Sequence, residues 1–115
     1  MGFFDPDLVR SGTDILVLSV LAEGPQYGYV ILKKLHERSD GRLKISAGTL
    51  YPILHKLELA GAVRSSWQEG TTRKRKYYHL TAKGERMLHR KASEWRAFAA
   101  MLERLIRPAL RRAQP

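Results

Sequence analysis

Apolar residues along this chain recur at two different spacings, and the change of spacing marks out its elements. Residues 15–22 form a nearly continuous apolar run, and Ser11-Gly12-Thr13-Asp14 just before it has the form of a capping box. A first helix is therefore expected over residues 12–22. Gly24-Pro25 should stop it and open another, because proline at a first helical position gives up only an amide that has no intrahelical partner. The second helix is read over residues 25–38, with Tyr27, Val30, Ile31 and Leu35 at helical spacing and Lys33, Lys34, Glu37 and Arg38 on the remaining surface. Ser39-Asp40-Gly41 then makes a turn.

After a short extended piece at residues 43–45, Ser46 can cap a third helix whose positions Leu50, Ile53, Leu54 and Leu57 form one apolar stripe, with Gly61 closing it. Pro52 inside that helix removes a hydrogen bond at a cost of about 3 kcal/mol, which a start nearer Thr49 would ease. From residue 63 to 69 the spacing changes: Val63, Ser65 and Trp67 alternate with Arg64, Ser66 and Gln68, and residues 76–80 are aromatic and strand-like. Residues 70–75 between them make a hairpin with a basic tip. Thr81 can cap a final helix expected to run to about residue 107, ahead of Pro108. Within it Leu88, Trp95 and Leu102 recur every seven residues, with Ala92, Phe98, Ala99, Leu105 and Ile106 beside them.

Three helices, a two-stranded hairpin and a long helix describe a mainly α protein with a minor β part, a winged helix-turn-helix with a C-terminal extension. The expected division is a winged-helix DNA-binding domain over residues 1–81 and a dimerisation helix with its tail over residues 82–115.

Charge narrows the partners. Among 115 residues, 21 Lys and Arg against 11 Asp and Glu leave a net charge of +10, so DNA, RNA and anionic lipid are the natural ligands. With no cysteine, disulfide staples, thiolate nucleophiles and Cys-based zinc sites are excluded, and the composition suits a reducing cytoplasm. The longest apolar run is far short of the roughly 20 residues a bilayer span needs, and no basic leader precedes it. A cytoplasmic protein without a membrane role is the expectation.

Packing the third helix by its apolar stripe turns Gly48, Pro52, His55 and Lys56 outward, with Thr49 and Tyr51 on the flanks. Such a face offers hydroxyl, imidazole and ammonium groups to a major groove roughly 12 Å wide. Taken alone it is also what any solvated amphipathic helix displays. The hairpin tip adds the consecutive cations Arg73, Lys74, Arg75 and Lys76, suited to phosphates. Charge runs are usually solubilising, but a basic hairpin following a two-helix turn has the layout of wing and recognition helix. Ser46, Thr49, Tyr51, His55, Lys56, Arg73, Lys74, Arg75 and Lys76 are thus the candidate DNA contacts.

These same residues carry a family resemblance. Tyr27-Gly28-Tyr29, the run from Ser46 through Leu50-Tyr51-Pro52 to Glu58 with Gly61 in register, and Arg75-Lys76-Tyr77-Tyr78-His79-Leu80-Thr81 followed by Gly84 resemble the PadR-type transcriptional regulators of bacteria. The likeness spans nearly the whole chain and is to the short subgroup, with one C-terminal helix. It implies that Pro52 is tolerated inside the recognition helix, that dimers form through the C-terminal helix, and that repression is the commoner outcome. Residues 1–10 and 108–115 match nothing specific.

Physics points to the dimer as well. A lone helix carrying Leu88, Ala92, Trp95, Phe98, Ala99, Leu102 and Ile106 exposes too much apolar area for a monomer, and each large side chain so buried contributes roughly 1.5–3 kcal/mol. The resemblance also offers a second role for Trp95, since some short members hold flat hydrophobic ligands against tryptophan between paired helices, with Ala92 and Ala99 leaving room. Simple packing is the commoner use of such an aromatic.

Competing functions fare less well. His36, His55, His79 and His89 are dispersed without a nucleophile, a carboxylate partner or metal-ligand spacing, so neither an enzyme nor a cofactor is expected. A nonspecific nucleic-acid binder, of RNA or compacting DNA, remains the stronger rival because net charge alone would suffice. A membrane-surface role for the basic last helix ranks below it, since Arg104, Arg107, Arg111 and Arg112 also complement a helix C-terminus.

Overall fold

The computed structural model describes residues 2–68 and 75–113. Helix α1 spans Pro6–Leu21 and begins a turn and a half before the expected start. The reason is a better start signal upstream: Asp5 accepts from the Asp7 amide at 2.8 Å and Pro6 takes the first position, where it loses nothing. The residues read as a capping box lie inside this helix. Ser11 and Thr13 turn their hydroxyls back to the carbonyls of Leu8 and Val9, and the half-buried Asp14 reaches lysines of other helices.

The second helix, α2, covers Gly28–Arg38 and not residues 25–38. The two residues Gln26–Tyr27 form a short strand, β1, because pairing with a later strand outcompetes the helical start that Pro25 offered. Tyr27 therefore leaves the apolar stripe of α2, which buries Gly28, Ile31 and Leu35. Glu23, past the end of α1, accepts from Arg38 at 2.7 Å and lies 3.5 Å from Lys34, tying the two helices. The Arg38 hydrogen bond brings the Glu23 carboxyl down to about 2.

Residues 43–45 carry no strand; Leu43 and Ile45 pack irregularly against the core. Helix α3 runs Ala47–Leu59, with Ser46 Oγ accepting from the Thr49 amide at 3.3 Å. It starts earlier than Thr49, so Pro52 sits within the second turn and the Gly48 carbonyl goes without its usual partner, on an exposed face where water serves. Gly61, at φ 77°, ends the helix in the left-handed conformation that the absence of a Cβ permits.

Strands β2 (Val63–Gln68) and β3 (Arg75–Leu80) pair antiparallel, with Val63 opposite Leu80 and Gln68 opposite Arg75. Arg75 belongs to the strand and not to the tip. The wing is joined by β1, which pairs with β3 through Gln26–Tyr78 and Tyr27–Tyr77, giving a three-stranded sheet in the order β1-β3-β2. The core gathers Val17, Leu18 and Leu21 of α1, Ile31 of α2, Leu50, Leu54 and Leu57 of α3, and Val63 and Tyr78 of the sheet.

Helix α4 spans Ala82–Ala113, continuing through Pro108 where a stop was expected. Proline here removes one donor on a helix whose surroundings are solvent, and the good helix formers Leu105, Arg107, Leu110 and Arg111 flank it. At 1.5 Å per residue this helix is about 48 Å long, which accounts for most of the molecule's 65 Å long axis. Among the described residues no helix is long and apolar enough to cross a membrane.

Candidate nucleic-acid interface

The stripe Leu50, Leu54 and Leu57 is completely or almost completely buried and Ile53 half-buried, so α3 is held by the face its periodicity indicated. Its opposite face is open: Ser46, Thr49, Tyr51, Pro52, His55 and Lys56 are all exposed. Their states differ. Ser46 spends its hydroxyl on the cap, with Thr49 Oγ1 at 3.3 Å. His55 stands clear. Lys56 donates to Asp14 Oδ2 of α1 at 3.0 Å.

Tyr51 is held from the side. Its ring tilts against Tyr78 at 6.4 Å and lies directly over Gly28, where a Cβ would come within 2.8 Å of the phenol carbon Cζ. Glycine at the start of α2 is thus the residue that lets Tyr51 of α3 close on α2.

Beside Tyr51, the start of α2 and strand β3 frame a notch of about 440 Å³ lined by Tyr27, Tyr29, Tyr51, Arg75, Lys76 and Tyr78. Tyr27 stacks on Tyr77 at 3.9 Å and lies nearly parallel to Tyr29 at 5.9 Å. The Arg75 guanidinium lies 5.2 Å from the Tyr27 ring and 5.5 Å from the Tyr29 ring, and donates to Tyr29 Oη at 3.2 Å. Lys76 places its ammonium between Trp67 and Tyr78, at 5.9 and 5.7 Å. Cations over aromatic faces are held in position while remaining free to meet an anion on their outer side. The adjacent Tyr77 phenol raises that of Tyr27, and burial raises that of Tyr78, so both stay protonated across the working pH range.

Of the expected contacts, Tyr51 of α3 comes together with Arg75 and Lys76 of β3 at this notch; His55 stands on the exposed face of α3, and Thr49 and Lys56 line a separate hollow with Phe3, Phe4 and Ile45 on the α1 side. Arg73 and Lys74 lie outside the described residues. Reading by periodicity missed Tyr29, which is 55% exposed at the α2 terminus and reaches Arg75. Its signal was the Tyr-Gly-Tyr triplet, which spans the change from strand to helix, with Tyr27 in β1 and Tyr29 in α2.

On α4 the stripe divides. Leu88 packs half-buried against the core, whereas Trp95, Phe98, Leu102, Leu105 and Ile106 are exposed, as is Ala99. Trp95 and Phe98 tilt together at 6.3 Å and line a cleft with Arg10, Asp14, Ile15 and Lys91 at the junction of α1 and α4.

The profile of the Transcriptional regulator PadR-like family matches residues 17–90, from the core of α1 through the wing into α4. The solved structure of a transcriptional regulator from Clostridium thermocellum superposes with a TM-score of 0.83 at 32% identity, over 88% of this chain and 99% of that one. A PadR family transcriptional regulator from Eggerthella lenta superposes at 0.81 with 36% identity, covering 88% of this chain and 87% of its own. A protein from Lysinibacillus sphaericus is 29% identical over 90 residues, 77% of this chain and 83% of that protein. With a winged helix-turn-helix, a long C-terminal helix and this match across its core, the chain belongs to the PadR-like family of transcriptional regulators, a family of DNA-binding proteins and not of enzymes.

Proposed function

We propose that this regulator acts in the cytoplasm as a homodimer that binds an inverted-repeat operator in duplex DNA and represses transcription until a flat hydrophobic or aromatic small molecule relieves it. The observation that carries the DNA reading is the shared surface of α3 and β3: an exposed recognition face beside an arginine and a lysine seated on aromatic rings. A groove admits the helix while the strand cations meet the flanking phosphates. Arg73 and Lys74 are proposed as further phosphate contacts, and Ser46 as a capping residue that sets the angle at which Thr49 enters. Residues 1–81 would read DNA and residues 82–115 would pair the two copies through Trp95, Phe98, Ala99, Leu102 and Ile106, with Leu88 and Ala92 joining pair and body. Trp95 is the proposed effector contact, since a ligand shifts DNA affinity only by favouring one spacing of the two reading heads over another.

Selection of bound duplexes from a random pool tests this reading. Enrichment of an inverted repeat is the expected result; recovery of unrelated sequences would transfer the protein to the nonspecific nucleic-acid binders. On the selected duplex, Arg75→Ala should weaken binding on every sequence alike and flatten the salt dependence by about one unit of slope, measured by titration at several ionic strengths. An unchanged slope would remove Arg75 from the phosphate contacts. His55→Ala makes the complementary case: loss of preference for the operator over random DNA, with thermal stability moved by no more than about 0.5 kcal/mol because the side chain is exposed and unpartnered among the described residues. Retained preference would place recognition elsewhere on the helix.

A further inference from the structure

Asp14 joins three helices through one carboxylate. It stands on α1 with its side chain 20% exposed, accepts from Lys56 of α3 at 3.0 Å, and lies 3.8 Å from Lys91 of α4. Lys56 is the more solvent-exposed member at 69%, whereas Lys91 is 33% exposed. Arg10, one turn earlier on α1, is already engaged by Asp7 at 2.7 Å, and Glu94 of α4 lines the same cleft.

We propose that Asp14 is an internal competitor for Lys56, occupying in the free protein the ammonium that DNA phosphate takes up in the complex. The proposal rests on the DNA reading above and names a positioning residue that reading does not contain. A lysine on a four-carbon stem has one charge to place, so its ammonium meets either the carboxylate or a backbone phosphate. Because the lysine end is exposed, the internal pair is weak enough to exchange. Because the carboxylate end is half-buried and also engaged from α4, it holds its position while the lysine leaves. The device makes each phosphate contact at Lys56 cost a contact within the protein, which lowers affinity for any duplex and leaves operator recognition by neighbouring side chains relatively stronger.

A four-way comparison tests it, using the full chain titrated against a random-sequence duplex and against the selected operator. Asp14→Asn should tighten binding about two- to fivefold at roughly 50 mM salt. The gain should shrink by about 200 mM, where the internal pair is screened in the parent protein. In the Lys56→Gln background the same Asp14→Asn change should give no gain, since of the two lysines at Asp14 only Lys56 stands on the recognition helix, Lys91 belonging to α4. An equal gain in both backgrounds would mean that the carboxylate merely repels DNA, and no gain in either would mean that it does not act on binding; both outcomes overturn the proposal. Should Asp14→Asn melt early, Asp14→Ser carries the same comparison. Failure of the parent protein to enrich an operator would instead count against the function itself, whatever the four-way comparison returns.

Discussion

Leu102→Glu is expected to leave the protein monomeric in sedimentation, at the 13.2 kDa of one chain, under conditions where the parent chain sediments at twice that mass. Position 102 lies in the half of α4 that extends beyond the winged body, 41% exposed, in line with Trp95 and Phe98 before it and Ile106 after it. A helix this long would not keep a strip of large apolar side chains in water unless something covers it, and a second copy presents the same strip. Burying an unpaired carboxylate in the proposed seam would cost about 3 to 5 kcal/mol, roughly two to three and a half powers of ten in the dissociation constant. The substitution touches nothing within its own chain's core, so circular dichroism should report an intact fold. Loss of the partner should also abolish the concentration dependence of the melting temperature. Trp95→Ala should shift the same equilibrium in the same direction by less, because it removes area without adding charge. A Leu102→Glu protein that still sediments as a dimer would move the interface off this face of α4.

Much of this arrangement is legible in residue spacing, and the places where spacing misleads share a cause. The buried stripe of α3, the two strands of the wing and the cap at Thr81 are local: period, hydroxyl and glycine all lie within a few residues of one another. The start of α1 is also local, yet two start signals compete there, and Asp5-Pro6 prevails because it places proline at the first position while Ser11 and Thr13 satisfy themselves against the preceding turn. The strand at Gln26–Tyr27 is different. Nothing nearby distinguishes it from a helix opening at Pro25; its cause is Tyr77 and Tyr78, some fifty residues on, whose backbone it pairs and whose ring it stacks against. Tyr29 became a candidate contact only through that displacement, since a helix starting at Gly28 turns the next side chain outward to Arg75. The role of Asp14 was hidden for the same reason: its partners come from α3 and α4, and no spacing within α1 announces them.

Gly84→Ala is expected to lower the melting temperature by roughly 10 to 20 °C, against the direction that helix propensity alone would give. In the middle of an exposed helix this change would stabilise by up to about 1 kcal/mol, since glycine carries the larger backbone entropy. Gly84 is buried, and a Cβ there would stand 2.7 Å from Leu80 Cδ1 and 2.9 Å from the carbonyl carbon of Ala62, with the carbonyl oxygen nearer still. That carbonyl is fixed from both sides. The Ala62 amide donates to Leu57 at 2.9 Å, and the oxygen accepts from the Thr81 amide at 3.1 Å. Thr81 in turn donates its hydroxyl to Gly61 at 2.7 Å and accepts from the Gly84 amide at 3.0 Å. A methyl group therefore has to push the first turn of α4 away from the turn that closes α3, straining a cap and a backbone hydrogen bond worth about 1 kcal/mol each in addition to the overpacking itself. A net loss of about 2 to 3 kcal/mol follows, at roughly 4 to 8 °C per kcal/mol for a domain near this size. A rise in melting temperature would show that α4 rests on the body more loosely than this junction requires. In that event the angle at which α4 leaves the winged body would be set by Met87 and Leu88 against the core instead of by the backbone contact at Ala62.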